Sequence, residues 1–344
     1  MKPITFILKL TFLNQTGKSG KRLPILYFVF VSIVLITWMI YVRDISLASL
    51  YRRNWPPALT MIFGSFIAGS SPEGSAAISY PIFTLLLNIP PAVARNFAFA
   101  IQSIGMTSAS LLILGLRVKV DWNYIKFVTF GGVFGLVFGT YEIVPLVSPI
   151  MAKLFFVSLW LSFGIVLWRE NLRPNRPVFD KIQNFRRPDK IRLMVFGFVG
   201  GIISALFGTG INIFTYCLMT IYYGISEKVA TPSSVIIMSI EVILGFFLHT
   251  QVIKDFQPLA FEMWIACVPL VAFFAPLGAF VVSLLPRKRI AQFLYIILIV
   301  QFFGAMWVIK PSGFKLILCG IALVAGLGVF AWLARIRRAS VSPE

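Results

Sequence analysis

The chain of 344 residues is 58% hydrophobic and 12% charged, and its mean hydropathy is +0.89. A soluble domain carries about a quarter charged residues, so this composition excludes an ordinary soluble protein. The net charge of +19 does not indicate a nucleic-acid-binding protein, because Lys and Arg cluster in short hydrophilic gaps between apolar segments, as they do in cytoplasmic loops.

The apolar segments predict an all-α, polytopic membrane protein. A helix of about 20 residues crosses a hydrocarbon core of about 30 Å. Uncharged stretches of this length occur at residues 23–42, 96–116, 290–309 and 316–334. The segment 1–22 is basic, but no small-residue cleavage site follows the first apolar run, so we expect a retained helix rather than a signal peptide.

The reactive residue types give no sign of a metal, a cofactor or a catalytic constellation. The three cysteines are isolated within apolar runs, without the spacing of a metal site or a disulfide framework. The single histidine, His249, excludes a site built from several histidines, and its place near the end of a span predicts a solvated loop edge. We therefore expect no cofactor and no enzymatic activity, and a membrane-embedded transferase is a disfavoured alternative.

An internal repeat divides the chain into two related halves. The segment "MIFGSFIAGS" at 61–70 resembles "MVFGFVGGII" at 194–203. Each is followed by a short polar break, "SPEG" in the first half and "FGTG" in the second, and Gly74 and Gly210 occupy equivalent positions in the two breaks. Each half therefore reads as a broken segment followed by three spans, predicted at 92–116, 124–141, 149–168, 229–249, 258–285 and 290–309.

The predicted organisation has five parts: a basic N-terminal segment with an extra helix (1–56), the first repeat (57–168), a basic linker (169–192), the second repeat (193–309), and an extra helix with a basic tail (310–344). The linker carries eight Lys/Arg and is expected to be cytoplasmic. If both termini are cytoplasmic and each broken segment returns to its own side, 23 of the 31 Lys/Arg face the cytoplasm. Each half then crosses the membrane an odd number of times, which predicts two inverted-topology repeats, as in secondary transporters of the cell membrane.

The breaks predict a binding site deep in the membrane. Residues 58–70 are too few to span, and Ser71-Pro72-Glu73 is a favourable helix start, so the chain is expected to enter as one half-helix and leave as another. A half-helix start offers unpaired N–H groups and a partial positive charge to an anion. Two such starts at the midplane predict a site for a small anion at Ser71, Glu73, Gly74, Ser75, Gly208, Thr209, Gly210 and Asn212. The alternative is that these small residues only allow close helix packing.

Two acidic residues within the apolar spans are further candidates. Glu73 is either a protonated group that couples proton movement to transport or a cap of its half-helix. Glu241 either marks the functional interior or makes a structural hydrogen bond. Arg95 either attracts anions or anchors a helix end at the interface. The candidate vestibule or coupling residues are Arg95, Asn96, Gln102, Thr231, Ser233, Ser234 and Glu241.

Several stretches resemble the sulfite exporter TauE/SafE family of membrane permeases. They are "GSSPEGSAAISYPIFTLL" (69–86), "IPPAVARNFAFAIQSIG" (89–105), "LRVKVDW" (116–122), "GGVFGLVFGT" (131–140) and "GFVGGIISALFGTGINIF" (197–214). The resemblance covers about residues 57–309. In place of the family's Gly-rich stretch, the first repeat has Ser-Ser-Pro-Glu-Gly. The resemblance implies transport of sulfite or a small organosulfonate, commonly outward.

The leading hypothesis is a secondary transporter of a small oxyanion that works by alternating access. A passive anion channel, an uptake permease for another small anion and a membrane scaffold are the alternatives. The expected partners are the small anion, the lipid bilayer and, in a coupled mechanism, protons. A homodimer is left open, and no nucleic acid is expected.

Overall fold

A computed structural model describes residues 24–174 and 176–341, and twelve helices make up most of this part of the chain. They are α1 (Ile25–Tyr41), α2 (Leu47–Ser70), α3 (Ala76–Pro81), α4 (Pro91–Gly115), α5 (Trp122–Phe138), α6 (Pro149–Asn171), α7 (Arg187–Phe207), α8 (Ile211–Cys217), α9 (Glu227–Phe247), α10 (Pro258–Leu284), α11 (Arg287–Ile309) and α12 (Phe314–Val341). Four of them, α3, α5, α8 and α9, continue into a π-helical turn, at Ile82–Leu86, Gly139–Ile143, Leu218–Tyr222 and Leu248–Val252. The predicted basic N-terminal segment before residue 24 and the end of the tail, 342–344, lie outside the described residues.

Among the described residues, eight helices are long and apolar enough to cross a membrane. They are α4, α5, α6, α7, α9, α10, α11 and α12. The prediction of an all-α, polytopic membrane protein is confirmed. Many outward side chains are large and apolar, such as Trp307 at 80% exposure, which suits a surface that faces lipid rather than water.

The same local features follow one another in the two halves. Each feature of the first half is separated from its counterpart in the second by the same number of residues as Gly74 is from Gly210. The π-helical turn that ends the short helix begins at Ile82 in the first half and at Leu218 in the second. Next, the N–H of Ile89 donates to the carbonyl of Phe83, and the N–H of Ile225 donates in the same way to Met219. The local repeat is therefore present in the backbone as well as in the sequence.

The bundle has two ends, which are named here for the contacts made there. At the linker end, Phe179 of the linker forms backbone hydrogen bonds with Gly224 and Ser226, at the start of α9. At the distal end, the Asn96 side chain, near the start of α4, donates to the carbonyl of Asp255, 3.0 Å away, just before α10. Helices α4 and α9 therefore begin at different ends and run in opposite directions.

Each broken segment turns back towards the end from which it started. In the second half, the Tyr223 hydroxyl, after α8, donates to Asp189, at the start of α7, at 3.1 Å. The corresponding turn in the first half places Ser75 beside Gly64, just as Ile211 lies beside Gly200 in the second. The members of these two pairs are again at equivalent positions in the repeat, so the two hairpins turn in the same way.

Helix α2, which precedes the first break, is longer than predicted. Helix α2 begins at Leu47 instead of residue 58, because the Ser46 side chain accepts the Ser49 N–H at its start. A kink at Asn54 (φ −111°, ψ 21°) separates this polar first part from the apolar remainder, and Pro56 and Pro57 follow the kink, where a new first turn needs no N–H donors. The predicted half-helix, residues 58–70, thus corresponds only to the part of α2 after the kink.

The broken helices pack against the opposite half rather than their own. Helix α7 of the second half crosses α5 of the first, where Gly131 and Gly135 lie directly against backbone carbonyls of α7. In the same way, α2 of the first half crosses α10 of the second at Gly69 and Gly278. Glycine at these four positions lets the backbones approach closely, as small residues do at helix contacts in membranes.

Gly135→Ala is expected to lower the free energy of unfolding by about 1–3 kcal/mol, because the added methyl group would overlap the carbonyl of Phe198 far inside van der Waals contact. Unfolding of the detergent-solubilised protein measures this loss. Gly320→Ala on α12 is the matched control, since a Cβ there meets nothing within 4 Å. Equal stability of the two variants would contradict the close crossing of α5 and α7.

A buried polar centre between the two breaks

The two chain breaks contain backbone conformations that favour glycine. Gly74 has φ of +75° in the first break, and Gly208 and Gly210 have φ of +77° and +153° in the second. These left-handed and related conformations are strained for residues with a Cβ. They let the chain reverse within a few residues, between Ser70 and Ala76 and between Phe207 and Ile211.

The breaks meet in the interior of the protein. A Cβ on Gly74 would overlap the Thr209 hydroxyl, so the two turns are in direct contact. Gln102 of α4 joins them: its carbonyl oxygen accepts the Ser75 N–H at 3.1 Å, and its amide donates to the carbonyl of Gly208 at 3.1 Å. The same amide also donates to Ala98 one turn earlier, at 3.0 Å. Gln102, which was predicted as a vestibule or coupling residue, lies at the junction of the two breaks.

Five residues at this junction, Ser75, Gln102, Thr209, Asn212 and Met238, are called the polar centre. All five are at most 7% exposed. The Asn212 amide donates to the Met238 sulfur at 3.0 Å, and the Thr209 hydroxyl lies 3.5 Å from the same sulfur and 3.4 Å from the Asn212 carbonyl oxygen. The Ser75 hydroxyl has no hydrogen-bond partner among the described residues. Because a thioether is a weak acceptor, these donors are poorly satisfied by the protein itself.

At the start of each half-helix, one backbone amide is already occupied. The Ser75 N–H is bonded to Gln102, and the Ile211 N–H donates to the Ser204 hydroxyl at 2.9 Å. Ser204 in turn donates to Glu241 at 2.8 Å. Glu241 therefore supports the start of α8 through Ser204, which is the structural alternative considered for it, while its other carboxylate oxygen has no partner in the part of the chain that the structure describes.

The hydrogen bonds that the structure gives for the side chains of Ser71 and Glu73 are made with residues outside the second break. The Ser71 hydroxyl accepts the Glu73 N–H at 3.3 Å and donates to the carbonyl of Ile67 at 2.9 Å. One carboxylate oxygen of Glu73 accepts from Gln301 of α11 at 2.8 Å, and the other has no partner within 24–174 and 176–341, although Glu73 is 3% exposed. Lys153 of α6 acts electrostatically on this carboxylate. Neither Gln301 nor Lys153 was among the predicted site residues.

The predicted vestibule residues lie at two different ends. Arg95 and Asn96 are at the distal end, where Arg95 pairs with Asp255 at 3.5 Å. Three others lie on α9 nearer the linker end: Thr231, Ser233 and Ser234. Ser233 accepts the Asp121 N–H at 3.0 Å and so helps to fix the start of α5, and Ser234 donates to the carbonyl of Thr231 at 2.8 Å.

His249 is buried, which corrects the prediction of a solvated loop edge. It is 1% exposed, its Nδ1 lies 2.7 Å from an Asp255 carboxylate oxygen, and its ring stacks on Phe99 at 5.5 Å between centroids. The π-helical turn Leu248–Val252 and the loop after it bring Asp255 back to the histidine. In the sequence, the one sign that His249 has a partner is Asp255, the acidic residue that follows it closely.

These features define an integral, multi-pass membrane protein with a buried polar centre between two broken helices. The family model described as "Sulfite exporter TauE/SafE" matches residues 57–306, and the chain belongs to this family. Membership implies a membrane transporter of sulfite or related anions. A comparison with curated proteins and one with solved structures find no match.

Proposed function

We propose that the chain is a secondary transporter that exports a small oxyanion, sulfite or an organosulfonate, by alternating access around the polar centre. The observation that carries this proposal is the meeting of the two breaks, where the Thr209 hydroxyl and the Asn212 amide both lie against the weakly accepting Met238 sulfur. The Thr209 hydroxyl has one other acceptor, the Asn212 carbonyl oxygen, at a long 3.4 Å. A buried donor without a strong acceptor costs free energy, and an oxyanion would supply that acceptor.

The side chains of the polar centre, rather than the first helix amides, would hold the anion. The Ser75 and Ile211 N–H groups are taken, whereas the Ser75 hydroxyl is free of any described partner. The starts of the two short helices add partial positive charge. Met238 is unbranched and flexible, so its side chain can leave the space to a substrate.

Alternating access is supported by different closures at the two ends. At the distal end, Asp255 binds Arg95 and His249. At the linker end, Glu227 binds Arg176 at 3.2 Å and Arg287 at 3.1 Å. The opposite directions of α4 and α9 support an inverted repeat, in which breaking one cluster would open one side.

The proposed orientation places the linker end and both termini in the cytoplasm. The linker carries eight Lys/Arg in residues 169–192, and it contacts the start of α9 through Phe179. The distal end then faces the opposite side of the cell membrane. Cysteine labelling from either side of sealed vesicles, at Lys181 and at Lys254, tests this orientation.

Flux into proteoliposomes tests the function. We expect transport of sulfite or an organosulfonate such as sulfoacetate in preference to acetate, and accumulation against a concentration gradient when an ion gradient is applied. Asn212→Leu should lower the flux at least about tenfold, because one hydrogen bond to a charged group is worth about 1.5–3 kcal/mol. Thr250→Val, a half-buried hydroxyl near the distal end, is the control. Flux that only dissipates gradients would instead identify a passive channel.

Glu73→Gln tests proton coupling. The substitution keeps the hydrogen-bonding shape towards Gln301 but cannot gain or lose a proton. If Glu73 carries the coupled proton, the wild type responds to an imposed pH gradient and the variant does not, although it still exchanges substrate across the membrane. An unchanged response to the pH gradient would leave Glu73 with the role of a helix cap only.

A further inference from the structure

A groove of about 360 Å³ opens between α6 and α12 near the linker end. Its lining residues are Arg169, Gly328, Ala331, Trp332 and Arg335. The proposed transport function uses none of these residues. The groove lies outside the matched family region on its α12 side, since that match ends at residue 306.

Helices α6 and α12 are in close contact beside the groove. Gly326 of α12 lies against the Ser162 side chain of α6, and the rings of Phe163 and Phe330 are in contact at 5.6 Å between centroids. Beside these contacts, Gly328 and Ala331 of α12 line the groove and offer little side-chain volume. The groove therefore owes its space to small residues of α12 next to a closely packed contact with α6.

The groove carries two exposed positive charges. Neither Arg169 nor Arg335 forms an ion pair with any residue that the structure describes. Nearby arginines behave differently: Arg173 pairs with Glu170, and Arg176 pairs with Glu227. The charge on the groove is thus available for an anion from outside the protein.

The surroundings of the groove favour a lipid as the source of that anion. Trp332 is 60% exposed beside the arginines, as expected for an aromatic residue at the membrane interface. Towards the membrane interior, α12 presents the apolar side chains of Val324 and Ile321, which are 68% and 60% exposed. A headgroup phosphate at the arginines would leave acyl chains along this apolar face.

We propose that the groove between α6 and α12 binds the headgroup of an anionic phospholipid through Arg169 and Arg335. Phosphatidylglycerol, with one phosphate and a small headgroup, is the probe chosen. The two arginines supply charge complementarity, and arginine binds phosphate oxygens in a bidentate manner. Juxtamembrane arginines attract anionic lipid from the cytoplasmic leaflet, which is the leaflet at the linker end in the proposed orientation.

The test is a titration of the full chain in detergent with phosphatidylglycerol and with phosphatidylcholine, followed by native mass spectrometry. Phosphatidylglycerol should bind preferentially to the wild type, and the double variant Arg169→Gln/Arg335→Gln should bind it about 30-fold more weakly. The control Arg52→Gln/Lys315→Gln removes the same charge from exposed residues and should bind as the wild type does. Arg169→Lys/Arg335→Lys should retain part of the preference.

Four results would overturn the proposal. The first is equal binding of both lipids by the wild type, and the second is an equal loss in the control variant. The third is competition by inorganic phosphate at the same concentration as the lipid, which would show that the acyl chains contribute nothing. A dimer that forms only with the intact groove would also overturn it, by assigning this face to a second copy of the chain.

Discussion

Gln102→Leu is expected to reduce transport by at least about tenfold and to lower the free energy of unfolding by about 2–6 kcal/mol. The substitution leaves the Ser75 N–H and the Gly208 carbonyl without partners in the interior, and each buried unsatisfied group costs about 1–3 kcal/mol. The two breaks would then lose the side chain that holds them together, so the donors of Thr209 and Asn212 would no longer face one site. Flux in proteoliposomes and unfolding in detergent measure the two effects.

Two further variants distinguish an effect on the anion site from a general loss of protein stability. Gln251→Leu removes an exposed glutamine near the distal end and should change neither quantity. Gln102→Glu keeps the acceptor for Ser75 but places a carboxylate at the anion site, so its transport should fall even where the protein remains folded. Normal flux in Gln102→Leu would show that the junction of the breaks is only structural.

Glu227→Ala is expected to lower the free energy of unfolding by about 3–5 kcal/mol. Both carboxylate oxygens of Glu227 are bonded, to Arg176 and Asn171 on one side and to Arg287 on the other. Glu227 is fully buried and the Arg176 side chain is 2% exposed, so the substitution leaves an arginine charge buried without its partner. Thermal unfolding, or the yield of monodisperse protein, measures the effect.

Glu262→Ala is the matched control for this experiment. Glu262 also pairs with an arginine, Arg53, at 3.3 Å, but that arginine side chain is 66% exposed. Water screens this pair. The Asn54 amide, which also donates to Glu262 at 3.2 Å, keeps its hydrogen bond to the carbonyl of Leu50 in the variant, so the loss should cost about 0–1 kcal/mol. Similar losses in the two variants would show that the cluster of Glu227, Arg176 and Arg287 contributes no more to stability than a surface ion pair does. Arg176→Met together with Glu227→Leu should recover part of the stability, since it removes both charges.

The sequence was most informative where the backbone needs a special conformation. Ser-Pro-Glu-Gly and Phe-Gly-Thr-Gly marked both breaks closely, because few sequences in an apolar run interrupt a helix so clearly. The π-helical turns of the two short helices are the same number of residues apart as Gly74 and Gly210. Such local signals depend on neighbours in the chain and can be read without tertiary structure.

The sequence was least informative where distant side chains meet. Met238 reads as an ordinary core residue, yet it occupies the repeat position equivalent to Gln102, and both residues approach Gly74. From its place near a helix start, Lys153 reads as a cation of a loop. In the structure it interacts electrostatically with Glu73, which is distant in the sequence. The burial of His249 depends on a loop that no periodicity describes. These relations arise from packing between the halves, which a single sequence does not reveal.

The crossed packing of the broken helices has a consequence for biosynthesis. When the first repeat leaves the ribosome, α2 lacks the glycine-lined surface of α10, and α5 lacks its partner α7. Neither repeat can complete its interior alone. The broken segment of the nascent first half therefore stays without its packing partners in the bilayer until both α7 and α10 have been translated. Quality control by membrane proteases would therefore act mainly on this unfinished intermediate.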